Sequence, residues 1–168
     1  VQAKIHLDLN GKKLTLKKSI IEEDGEIQFI RLIAGELIIK DSVGSGEIVG
    51  VNKVTLRYMR LIDVFDGAKL TLNSGKLHFE VNAESHTPNA TIRLAGTVEI
   101  NGGTVSIARE GVYKEERPYL IRQDFALEEN RSDPKCHAVI NGGTFDGRVL
   151  LYAVAKASGT ADNVITGG

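Results

Sequence analysis

The sequence predicts an all-β fold: a right-handed, single-stranded parallel β-helix, or β-solenoid, of about five to six coils with loop insertions. Three observations predict it. A phrase of alternating apolar and polar residues, closed by a Gly-containing turn, recurs along the chain. Asn stands at the same place in successive copies. No stretch keeps the i, i+3, i+4, i+7 apolar spacing of an amphipathic helix for a dozen residues, and 18 glycines are too many for a helical domain.

The phrase reads Leu70-Thr71-Leu72-Asn73-Ser74-Gly75-Lys76-Leu77. It returns at Val98-Glu99-Ile100-Asn101-Gly102-Gly103-Thr104-Val105, at Ala138-Val139-Ile140-Asn141-Gly142-Gly143-Thr144-Phe145, and in part from Asn163 to Gly168. Ahead of each copy runs another alternating segment. Phe29 to Leu32 precedes Gly35 to Ile39, Leu61 to Val64 precedes Asp66 to Leu70, and Ile92-Arg93-Leu94 precedes Gly96-Thr97-Val98. The opening Ile5 to Leu16 fits as a first, partial turn. Each unit then holds three strands of about 3 to 5 residues.

Alternation sends Leu70 and Leu72, or Val98 and Ile100, to one face of a strand. Stacked units place Leu72, Ile100 and Ile140 in one interior column, so each coil buries what its neighbour cannot bury alone. Gly75, Gly103, Gly143 and Gly168 fall where the chain must bend sharply, which Gly does without a Cβ penalty. The aligned Asn73, Asn101 and Asn141 either bond amide to amide up the stack or serve only as favoured turn residues.

The spacing between copies is irregular, and insertions account for it. Lys17 to Glu26, Asn82 to Ala90, Ala108 to Tyr119 and Glu128 to His137 are polar, charged or Pro-containing and read as loops. Three of the four follow the third strand of a unit, so loops leaving one corner would form one surface. Lys114 to Glu116 and Phe125 to Glu129 have the composition for a short helical turn inside loops.

These phrases, with Leu7-Asp8-Leu9-Asn10-Gly11-Lys12 and Gly35-Glu36-Leu37-Ile38-Ile39-Lys40-Asp41-Ser42, resemble the right-handed parallel β-helix, or pectate-lyase-like, repeats of bacterial cell-surface and phage proteins. The resemblance covers nearly the whole chain. It implies fold far more than activity, because that architecture hosts lyases, glycosidases, adhesins and virion fibres alike.

Composition narrows the function classes. With Lys+Arg 21 against Asp+Glu 22 the formal net charge is -1, so no global field draws in nucleic acid or an anionic membrane. The longest apolar runs, such as Arg148 to Ala155, fall far short of the roughly 20 residues a membrane span needs, so no membrane insertion is expected. The one cysteine, Cys136, makes no internal disulfide. The chain opens at Val1 without Met and stops at Ile165-Thr166-Gly167-Gly168, the start of a further repeat; residues 1–168 read as a single solenoid domain, a fragment of a longer protein.

No catalytic residue, metal ligand or cofactor is assigned. The Gly-His-Gly and Arg-Ile-Lys motifs of glycosidase-like members of the resembling family are absent. Asp63 and Asp66 are the nearest acidic pair, and a solvated strand edge followed by an Asp-Gly turn describes them better than paired catalytic carboxylates. Glu22, Glu23 and Asp24, and Glu115 with Glu116, read as solvated faces rather than a Ca²⁺ cluster. His6 and His78 should point outward from strands, and the four histidines lack metal-ligand spacing. Cys136 and His137, adjacent on a strand, project apart and make no nucleophile–base pair. Asn-Gly-Gly-Thr lacks the Lys and the helix of a phosphate loop. Asn89-Ala90-Thr91 and Asn130-Arg131-Ser132 match glycosylation acceptors, a match common by chance.

That leaves binding. The segment carrying Arg109, Tyr113, Lys114, Glu115, Arg117 and Tyr119 mixes charge with two of the four tyrosines, a composition suited to sugar or protein contact, and His86 joins it as a candidate. The expected function is a non-enzymatic extracellular, cell-surface or virion solenoid acting in adhesion, carbohydrate or protein binding, or as a rigid spacer. Its partner would be a polysaccharide or a surface protein, and a phage fibre would make it a trimer. The alternative is a fragment of a polysaccharide-active lyase or glycoside hydrolase of the same fold, its site carried on further coils.

Overall fold

A computed structural model of the chain describes residues 3–18, 27–52, 59–81, 89–109, 119–123, 136–151 and 163–167. Alternating apolar and polar residues extend each segment as a strand with one face to bury. Three sheets take these strands in strict rotation, one from each sheet per rung. The first stacks Lys4–Asp8, Gly35–Lys40, Ala68–Leu72, Thr97–Ile100, His137–Ile140 and Val164–Ile165. The second stacks Lys13–Lys18, Glu47–Asn52, Lys76–Val81, Thr104–Arg109 and Thr144–Asp146. The third stacks Ile27–Leu32, Met59–Val64, Ala90–Leu94, Tyr119–Gln123 and Arg148–Leu150. Every neighbouring pair is parallel, and no helix occurs among the described residues. The chain is a parallel β-solenoid.

Register files the aliphatic side chains into columns. Leu7, Ile39, Leu72, Ile100, Ile140 and Ile165 are consecutive partners up the first sheet. The middle of that column, Ile39, Leu72 and Ile100, is fully buried, whereas Ile165 at its end is exposed. The second sheet files Leu16, Gly50, Phe79 and Ile107 together. Phe79 is wholly buried and meets Phe29 edge-on, with ring centroids 5.8 Å apart. Such a burial is worth about 1.5–3 kcal/mol. Gly50 below makes room for it, since a Cβ there would lie 2.8 Å from Leu61 Cδ1 and 3.1 Å from Phe79 Cδ2.

The corner between the first and second sheets is stacked as tightly as the strands. Gly103 has φ +84°, and a Cβ on it would come within 2.5 Å of the Gly75 carbonyl oxygen of the rung below. A Cβ on Gly102 would come within 2.6 Å of the Asn73 carbonyl oxygen. The two glycines of the Asn-Gly-Gly phrase thus answer different needs, one for positive φ with close approach and one for close approach alone. At the same corner Asn101 Nδ2 donates to Asn73 Oδ1 at 2.9 Å, and Asn141 Nδ2 donates to Asn101 Oδ1 at 2.8 Å. The amide ladder is real, and Thr166 Oγ1 extends it by donating to Asn141 Oδ1 at 2.9 Å.

Strands reach six residues, longer than the repeat phrase suggests. Lys17, Ala90, Ala108, Arg109, Tyr119 and His137, read from sequence as loop, are strand residues. A strand continues as long as the adjacent rung offers backbone partners, and that partner is invisible in a polar local sequence. Lys18 is a strand residue too, and Asn89 and Cys136 directly precede strands; the remainder of the expected loops, with Lys114 to Glu116, Phe125 to Glu129 and the acidic Glu22, Glu23, Asp24, Glu115 and Glu116, lies outside the described residues.

Candidate functional site: an arginine face on the third sheet

The outward faces of the three sheets differ in charge chemistry. Strands of the first sheet carry Lys4, Lys40 and Lys69 against Asp8, Glu36 and Glu99. These neutralise one another across rungs: Lys4–Glu36 at 2.8 Å, Lys69–Glu36 at 3.4 Å, Lys69–Glu99 at 2.7 Å and Lys40–Asp8 at 3.1 Å. Strands of the third sheet carry Arg31, Arg60, Arg93, Arg122 and Arg148, one carboxylate, Asp63, and no Lys or Glu. Five guanidiniums less one carboxylate leave a formal +4 there, in a chain whose net charge is -1.

Register gathers the arginines. Arg31 pairs with Asp63, Asp63 with Arg93, and Arg93 with Arg122, one column up the sheet. Asp63 is fully buried; Arg93 Nη1 donates to its Oδ1 at 2.8 Å and Arg60 Nη1 to its Oδ2 at 3.3 Å. Burial of that carboxylate is sustained by charge-assisted bonds from two sides. At the strand end Phe65 stands between rungs, with the Arg31 guanidinium 5.3 Å and the Arg93 guanidinium 5.5 Å from its ring centroid. Tyr119, in register with Arg148, repeats the arrangement: the Arg148 guanidinium lies 4.7 Å from its ring centroid and donates to its hydroxyl at 3.4 Å. Stacking on a ring holds a guanidinium's plane while leaving its in-plane N–H donors for other acceptors. Arg31 and Arg148 are exposed and Arg122 is half-buried; among the described residues none of the three has a carboxylate partner.

Compared with known proteins, the chain matches no family model, no curated sequence and no solved structure.

Of the residues singled out from sequence, Tyr119 opens a strand of this third sheet. Arg109 closes a strand of the second sheet, its backbone in register with Val81. Tyr113, Lys114, Glu115, Arg117 and His86 lie outside the described residues. Two expectations are corrected. Asp63 is no solvated edge: the arginines on the neighbouring positions carry it inside, while Asp66 stays exposed in the turn. Asn89 is no open glycosylation acceptor, because it is 2% exposed and its Oδ1 accepts the Met59 N–H at 3.1 Å.

A second polar contact sits on the second sheet. His78 faces outward but is half-buried, and its Nδ1 lies 2.7 Å from Ser106 Oγ, its register partner. Burial, then the nearby Lys76 charge, lowers the His78 pKa. Ser106 is 5% exposed, too enclosed to act as a nucleophile, so the pair stitches adjacent rungs as the Asn ladder does. Cys136 packs into the apolar core while His137 sits in register with Thr97 on the outward side.

The arginine column had a signal in the sequence. Ile30-Arg31-Leu32, Ile62-Asp63-Val64, Ile92-Arg93-Leu94 and Ile121-Arg122-Gln123 are one triplet with a charged centre. Aligning units on that triplet, rather than on the Asn corner alone, would have found the face.

Proposed function

We propose that the chain is a binding module, a non-enzymatic solenoid of the right-handed, pectate-lyase-like type that displays its third sheet to an anionic partner outside the cell or on a virion. The observation that carries this reading is the segregation of five arginines against one aspartate on a single sheet. Two charge-balanced or mixed sheets and a continuous apolar core supply a stiff support, and one face supplies guanidiniums, those of Arg31, Arg122 and Arg148, with no carboxylate partner among the described residues. Adhesion and ligand capture both need such a support, since a rigid face loses little conformational freedom on binding. The test is equilibrium binding to a panel of polyanions and neutral dextran at low salt, alongside an assay for released reducing ends or unsaturated products. Retention of at least one polyanion without dextran binding and without turnover is expected. Robust turnover of any polymer, or equal affinity for dextran, contradicts the reading.

A further inference from the structure

We infer that the third-sheet face binds a linear sulfated polysaccharide. This deepens the binding reading above and rests on it. Three features narrow the ligand. First, Arg31, Arg93 and Arg122 share one column with Asp63 on successive rungs about 4.8 Å apart, so a polymer with repeated charges gains from several rungs at once where a single small anion gains from one.

Second, every cation of the third-sheet strands is arginine, whereas the first sheet uses lysine. Guanidinium is weakly hydrated compared with ammonium and presents a planar fork of donors. A sulfate ester spreads one negative charge over three terminal oxygens and sheds water readily, so it matches guanidinium better than the more strongly hydrated carboxylate does. It also stays ionised across the pH range in which carboxylates titrate.

Third, the one carboxylate of the column is already in place. Asp63 sits between the Arg31 and Arg93 rungs with both oxygens occupied, which shows an oxyanion accommodated in this column at 2.8 Å from a guanidinium. Arg31 adjoins that filled position and Arg122 lies two rungs beyond it; these are the arginines of the column with no carboxylate partner among the described residues. The Arg31 guanidinium lies 5.3 Å from the Phe65 ring centroid, a cation–π contact that restrains the side chain before a ligand arrives.

The experiment is affinity electrophoresis of the whole chain through gels containing dextran sulfate, polygalacturonate or plain dextran, repeated with two double variants. Arg31→Gln/Arg122→Gln removes two donors of the face; Lys13→Gln/Lys76→Gln makes the same charge change on the second sheet. Thermal unfolding of both variants checks that they fold. Dextran sulfate should retard the native chain most strongly, the arginine variant should lose about tenfold or more in affinity, and the lysine variant should stay close to native. Polygalacturonate retarding the chain as strongly overturns the sulfate class while leaving the binding face standing. Retardation by no polyanion overturns both. Equal losses in the two double variants, or none in the arginine variant, overturn the location.

Discussion

Arg93 Nη1 reaches the fully buried Asp63 carboxylate from the next rung at 2.8 Å, across a separation of 30 residues in the chain. The contact fastens one rung to another and leaves Asp63 dependent on its arginines. Replacing Asp63 by Ala removes the enclosed carboxylate that Arg60 and Arg93 both bond, and should lower stability by about 3–5 kcal/mol. Urea unfolding monitored by circular dichroism measures it; a loss below about 1 kcal/mol contradicts the assignment.

The Asn ladder is a gentler fastening. Asn101 donates to Asn73 and to Glu99 and accepts from Asn141, so Asn101→Ala removes three bonds at an exposed corner. A cost of about 1–2 kcal/mol is expected, because such bonds replace bonds to water. Asn141→Ala gives the comparison: it leaves the Asn101–Asn73 bond intact, and chemical denaturation of both variants should show it lowering the midpoint no further than Asn101→Ala does.

Backbone geometry makes Gly103 less replaceable than either amide. Gly103→Ala must hold a Cβ at φ +84° and 2.5 Å from the Gly75 oxygen. The left-handed conformation alone costs about 1–2 kcal/mol, and the neighbouring rung must also shift. Gly67→Ala, with φ +78° but open space around it, should show the conformational cost without the shift, and the difference in their melting temperatures isolates the close approach.

Acid should destabilise the fold in two stages. His78 has its pKa lowered by burial, below the ordinary 6.5, so the unfolded chain takes up the proton first and stability declines as pH falls through 6.5. Asp8, held at about 2 chiefly by the Asn10 and Ser42 backbone N–H groups, contributes stability above its unfolded value of 3.8 that is lost between there and about 2. Glu36 and Glu99, lowered chiefly by hydrogen bonds from Lys4 and Lys69, act in the same direction below 4.5. Melting temperature against pH should therefore fall gently below 6.5 and steeply below about 4, and His78→Gln should abolish only the first stage.

The architecture was legible because its determinants are local. Leu72, Ile100 and Ile140 alternate with polar neighbours inside short windows, and the Asn and Gly that follow mark the bend, so copies align by eye across irregular insertions. Strand ends such as Ala108, Arg109 and Tyr119 were hidden because their partners sit on other rungs. The arginine face was hidden for a related reason. Arg31, Asp63, Arg93 and Arg122 are single charges in triplets whose other residues, Gln123 apart, are apolar, and only register turns them into a column. Asp63 in particular reads as a solvated edge until Arg93 is placed beside it.

Parallel stacking in this register builds both the core columns and the arginine face, and backbone nuclear Overhauser contacts test it most directly. The Asn101 N–H bonds the Leu72 carbonyl and the Asn141 N–H bonds the Ile100 carbonyl, each at 2.8 Å. Cross-rung contacts should accordingly link the 100–101 backbone to Leu72 on one side and to Ile140–Asn141 on the other, with the staggered pattern of parallel strands. Strong Hα–Hα contacts typical of antiparallel pairs, or a one-residue slip that sets Ile100 beside Val139, would contradict the columns and with them the face built on the third sheet.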